Sequence, residues 1–176
     1  MTAMPSPLDR VRDLLGVGLD EIPGARVAGE IPIPDPVINR LVAQALERSQ
    51  APVTRVHVET GDADRLLAYV TIRGSRLIPE IKVLIEIDRQ PDLPQSPVLV
   101  LRWSLPGMGP LAMIAAPFVS NLKNLPAGIR LDGERAIVDL ADMLRSRGMA
   151  DLLSLLGRLN VNTQAGRLLL RFEVRT

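Results

Sequence analysis

Cysteine is absent from the 176 residues, which excludes disulfides, thiolate metal sites and cysteine nucleophiles. Aromatic residues are nearly absent too: one Trp, one Tyr and two Phe, 2% of a chain that is 47% hydrophobic. The interior must therefore be built from Leu, Val, Ile and Ala. Histidine occurs once, at His57, so a metal site with two His ligands is impossible and any Ser-His-Asp triad must use that residue. There is almost no excess of charge either. Lys+Arg 21 against Asp+Glu 20 leaves +1, which removes the electrostatic drive of a nucleic-acid binder, and no nucleic-acid partner is expected. Lysine is confined to Lys82 and Lys123; the remaining cations are Arg interspersed with acids, the pattern of a solvated face.

Long helical apolar runs are lacking as well. The longest uncharged stretch, "WSLPGMGPLAMIAAPFVSNL" (Trp103 to Leu122), is broken by Pro106, Gly107, Gly109, Pro110 and Pro117. About a dozen helical residues at about 1.5 Å each reach about 18 Å, short of a hydrocarbon core of about 30 Å. The start, "MTAMPSPLDRVRDLLGVGL", has charges where a secretion signal needs an apolar run, so a cytoplasmic chain is expected.

What is present is aliphatic periodicity in a chain of 19.2 kDa, long enough for one domain with a real core. Mean hydropathy of +0.17 is high beside 23% charged residues, so much Leu, Val, Ile and Ala must be hidden. Two parts are expected: residues 1–25, an N-terminal amphipathic helix and linker, and residues 26–176, a single α+β domain. In the first, Ser6 and Pro7 open a helix whose face is Leu8, Val11, Leu14 and Leu15. That narrow stripe suits docking on the body or peripheral contact with a membrane surface.

The strongest helical signal is "DPVINRLVAQALERS". Asp35 is a natural cap, Pro36 suits the first turn, and Val37, Ile38, Leu41, Val42, Ala45 and Leu46 recur at helical spacing. Four strand segments follow. They place Val56 and Val58, then Leu66, Ala68, Val70 and Ile72, then Ile81, Val83, Ile85 and Ile87 on one face; "PVLVLRW" is apolar on both phases and belongs near the centre of a sheet. Short links rich in turn formers make this an antiparallel meander and not a set of βαβ units. Leu111, Ile114, Ala115, Phe118, Val119 and Leu122 form a further helical stripe, kinked at Pro117. The chain closes on a hairpin with Leu168, Leu170, Phe172 and Val174 on one face.

Searching for chemistry yields little. No nucleophile elbow or phosphate-binding loop is present, and no cofactor is expected. "SNLK" (Ser120 to Lys123) has Ser-Lys spacing without the companion motifs of that enzyme group. "DAD" (Asp62 to Asp64) reads as a turn, lacking the further ligands of a calcium loop. The acid-rich stretch "IRLDGERAIVDLADMLRSRG" reads as turn and cap chemistry: Asp132-Gly133 as a hairpin dipeptide, Asp139 as helix cap, Asp142 in the first turn, and Gly148 after Arg145 and Arg147 as the stop.

Two segments, "IPIPDPVINRLVAQAL" and "LPAGIRLDGERAIVDLADML", resemble parts of the tubular lipid-binding (TULIP) superfamily, a likeness that spans roughly residues 26 to 175. The resemblance implies a strongly curved antiparallel β-sheet meander wrapped around a long amphipathic helix, with additional helices, and an aliphatic tunnel for acyl chains or other elongated lipids. Some members carry a disulfide, which this chain cannot form. The composition suits such a site, because each buried CH₂ contributes about 0.8 kcal/mol without directional contacts. The expected function is thus non-enzymatic binding or carriage of a lipid-like hydrophobic ligand. The expected wall residues are Ile38, Leu41, Val42, Ile81, Val83, Ile85, Ile114 and Phe118, with Met108 at an adaptable entrance. Two alternatives stay open: an interaction module that forms a homodimer around a solid core, and a lipid-acting hydrolase using Ser120 or His57.

Overall fold

The structure, a computed structural model, describes residues 26–47, 53–73, 80–107, 125 and 127–175. The expectations for residues 1–25, and for Met108, Ile114, Phe118 and Ser120, lie outside the described residues. The architecture is α+β, mostly antiparallel sheet curled strongly into a half-barrel, with few helices. The elements run β1 (Arg26–Pro34), α1 (Asp35–Glu47), β2 (Val53–Thr60), β3 (Arg65–Ile72), β4 (Ile81–Arg89), β5 (Val98–Ser104), β6 (Ile129–Asp132), β7 (Arg135–Asp139), α2 (Leu140–Ser146), α3 (Asp151–Leu155), β8 (Leu156–Gln164) and β9 (Arg167–Arg175). No described helix is long and apolar enough to cross a membrane.

Six strands form one sheet in the order β2-β3-β4-β5-β7-β6, and three form another, β1-β9-β8. β2 to β5 make the expected meander, with the alternation read from the sequence. Val58 pairs Ala68 and Ala68 pairs Val83, so the inward side chains meet in cross-strand rows. On β5 both Leu99 and Val100 are buried, as a strand apolar on both phases requires. The next hairpin then docks through its second strand, β7.

Two readings are corrected, and a third is not shown. Residues Arg26–Pro34, not anticipated as a strand, form β1 beside β9 over nine register pairs. Here Val27, Ile31 and Ile33 supply the alternation, while Pro32 and Pro34 obscure it because proline suits a strand only on an edge. A long amphipathic helix is not shown; α1 has 13 residues, about 20 Å at 1.5 Å per residue. Asp35 is the first residue of α1 and not the residue before it, and its carboxylate accepts from Thr60 Oγ1 at 2.6 Å and Thr60 N–H at 3.1 Å. The helix begins straight out of β1, so the tertiary partner replaces the local one.

The acid-rich stretch does fold by local chemistry. Asp132 pairs Arg135, leaving Gly133 and Glu134 as the two turn residues, with Gly133 at φ +56°, one position later than the Asp-Gly dipeptide suggests. Asp139 caps α2 through the Asp142 N–H at 3.1 Å. At the other end Gly148 adopts φ +69°, its N–H reaching Arg145 O while Met149 N–H reaches Leu144 O, a complete Schellman motif.

The two sheets are held together along their edges by side chains that bond to strand backbone. On the β2 edge, Asn39 of α1 presents its amide as if it were a neighbouring peptide: Oδ1 accepts from Val58 N–H at 2.7 Å and Nδ2 donates to Val58 O at 2.8 Å. Thr60 continues the seam through Asp35 and through the Gly166 N–H, which donates to Thr60 O at 3.2 Å. On the β8 edge, Gln90 exchanges the same pair of bonds with Val161, at 2.6 and 2.9 Å. Asp64 accepts from Thr163 N–H at 3.0 Å, and Asp62 from Ala165 N–H at 3.2 Å. The Asp62–Asp64 turn, expected from sequence as a turn alone, is therefore also a clamp. It is a strained one, with Ala63 and Asp64 at φ +58° and +59°. Exposed sheet edges invite pairing with other chains, and these bonds close two of them.

Candidate functional site

The curl gives the six-stranded sheet an inner face, and its composition is aliphatic almost throughout. One cross-strand row runs Thr60, Leu66, Ile85, Trp103, about 14 Å end to end at 4.7–4.9 Å per strand. Beside it lie Val58, Ala68 and Val83, and then Val56, Val70 and Ile81. On the other side the face continues through Ile87, Leu101, Ala136 and Leu131, all half-buried. Val58, Ala68, Ile72, Ile81, Val83 and Trp103 form the buried cluster, Ile81 being 2% exposed.

Helix α1 covers only the β2 end of this face. Ile38 and Val42 pack on the buried cluster, together with Ile85, so five of the wall residues expected from sequence (Ile38, Val42, Ile81, Val83 and Ile85) come together. Leu41 does not join them. It is 57% exposed, and with the exposed Val37 it forms the half of the helical stripe that turns away from the cluster. A stripe six residues rich is wider than the single sheet edge on which α1 lies.

Trp103 is the residue that sequence reasoning missed. Trp103 is 7% exposed, yet its indole N–H has no hydrogen-bond partner among the described residues. Leaving a buried donor unmatched costs about 1–3 kcal/mol, so such a group calls for an explanation. The lone Trp of an aromatic-poor chain was the available signal, and only the strand register shows that it turns inward at the end of the Thr60–Trp103 row.

The outer face carries a polar row. His57, Tyr69 and Lys82 lie side by side across β2, β3 and β4. His57 Nε2 is 3.5 Å from Glu59 Oε1, and Lys82 Nζ is 5.9 Å from the Tyr69 ring centre. The Tyr69 hydroxyl donates to Glu59 Oε2 at 3.3 Å. Its pKa is raised above the usual 10.0, by desolvation first and then by the charge and hydrogen bond of Glu59 and the charge of Glu80. His57 thus sits on the solvent side of the sheet, as its strand phase predicts, away from the aliphatic face. Further along, Asp88 bonds Arg102 at 2.7 Å and lies 3.4 Å from Arg135, separating two arginines that face each other across β5 and β7. Among the described residues, no three His, Cys, Asp or Glu side chains converge as metal ligands.

No protein family, curated protein or solved structure matches the chain.

Proposed function

We propose that the protein binds an elongated hydrophobic molecule against the inner face of its curled sheet, holding it without chemical change. The observation that carries this reading is the indole N–H of Trp103, unpaired among the described residues, within an almost wholly aliphatic surface. A lipid-like molecule with an acceptor oxygen at one end, such as a fatty acid or ester, matches both features. Its chain lies along the rows of Leu, Val and Ile, where each buried CH₂ contributes about 0.8 kcal/mol, and its oxygen accepts from Trp103. The same proposal takes in the arrangement implied by the tubular lipid-binding resemblance, a sheet bent around a long helix, and assigns Ile114 and Phe118 to the wall and Met108 to its entrance.

Trp103 is also the reporter, since the chain has no other Trp. Organic extraction of the purified protein is expected to release a hydrophobe, and titration with a fluorescent fatty acid to saturate with a shift in Trp103 emission. Trp103→Phe keeps the ring and removes the donor, so affinity should fall about tenfold, the equivalent of about 1.4 kcal/mol. No extractable hydrophobe together with no saturable uptake would remove the proposal.

A further inference from the structure

Three sheet edges are blunted: β2 by Asn39 and Asp35, β8 by Gln90, Asp64 and Asp62, and β6 by its length of only four residues. The fourth, β1, is different. Val161 and Thr163 turn their N–H groups off the β8 edge, so their β9 partners Leu170 and Leu168 direct their own peptide groups to β1, onto Ile31 and Ile33. By alternation, Arg26, Ala28, Glu30, Pro32 and Pro34 turn their backbone outward. The prolines obey this rule, since neither has an N–H to give β9. The outward edge thus has two halves: one stripped of donors at Pro32 and Pro34, and one, Arg26–Glu30, with its N–H groups free among the described residues.

We infer that Arg26–Glu30 is a self-pairing edge, through which two copies of this chain join their three-stranded sheets antiparallel about a twofold axis at Ala28. That register places Ala28 opposite Ala28 and Arg26 opposite Glu30, twice by symmetry, and every outward peptide of the segment then exchanges bonds with its counterpart. The charges are complementary in this register. Glu30 Oε2 already accepts from Arg171 at 2.7 Å, and Oε1 remains for the second copy's Arg26. The apolar side fits as well. Val27 and Ile31 are 41% and 45% exposed, on the face where Phe172 lies so close over Gly29 that a Cβ there would be 2.6 Å from the ring's Cζ. Pairing about Ala28 sets Val27 opposite the second copy's Gly29, against that ring. The prolines end the pairing beyond Ile31, so the contact is short, below the ~1,000 Å² of a tight interface, and the dimer is concentration-dependent in the micromolar range or above. The inference stands apart from the ligand reading.

Sedimentation equilibrium of the full chain tests it. The expected result is a weight-average mass that rises from one chain toward two across micromolar to millimolar concentration. Ala28→Pro removes one outward donor and no bond to β9, and should hold the protein monomeric with an unchanged circular dichroism spectrum. Should that variant misfold, charge reversal decides. Arg26→Glu alone and Glu30→Arg alone should each weaken self-association about tenfold, and mixing the two should restore a heterodimer. A wild-type mass of one chain throughout the range overturns the inference. So does a dimer that survives Ala28→Pro, or single reversals whose mixture associates no better than either alone.

Discussion

At the scale of single residues, backbone strain and side-chain chemistry can oppose each other at neighbouring positions. Ala63 and Asp64 share a left-handed conformation, φ +58° and +59°. For Ala63 nothing compensates, so Ala63→Gly should raise the free energy of urea unfolding by about 0.5–1 kcal/mol. For Asp64 the carboxylate bonds Thr163 N–H, so Asp64→Ala should lower it by about 1–2 kcal/mol. Two substitutions in one turn thus have opposite signs, and a pair of urea curves checks both. Tyr69 offers a second test, because it is the one tyrosine in the chain. Its ultraviolet titration should fall above that of the unfolded chain, and Glu59→Gln should move it back down. A folded pKa raised in this way contributes stability that is complete below the ordinary tyrosine value and is lost as pH climbs through the folded one. Legibility at this scale follows sequence distance. Asp139 was readable as a cap because its partner, Asp142 N–H, is three residues away; Asp35 was misread because Thr60, 25 residues away, takes its carboxylate.

At the scale of elements, α1 does more than bury a stripe. Its Asn39 stands in for a strand beside β2, so Asn39→Leu should cost about 2 kcal/mol by orphaning Val58 N–H and C=O, although leucine is the better helix former. Thermal unfolding reads the difference. If propensity dominated, the melting temperature would rise. Strands β2 to β5 were legible because a period of two is a local property, visible wherever one face is buried. The β5–β7 pairing was not, since either strand of a short hairpin can dock. β1 was hidden by the same prolines that mark which way its edge faces. Of the expected wall, the residues on β4 and the inner half of α1 came together, whereas Leu41 shows that helical spacing cannot say how wide a stripe its neighbour covers.

At the scale of the whole molecule, the two seams both hold the curl and hide strand edges. Removing Gln90 and Asp64 together, by Gln90→Leu and Asp64→Ala, should expose the β8 edge at Val161 and Thr163. The expected outcome is aggregation below the unfolding temperature, seen as rising light scatter, at concentrations where wild type stays clear. If the double variant unfolded cleanly without scatter, the seam would be a stability device alone. Because these stitches are single side chains and not ladders, the aperture of the trough is adjustable independently of its lining. Lengthening one stitch by a methylene, as in Asp62→Glu, loosens the drawstring while every strand keeps its register. Width and wall chemistry can therefore diverge separately, and the trough can be resized without changing one residue of its aliphatic face.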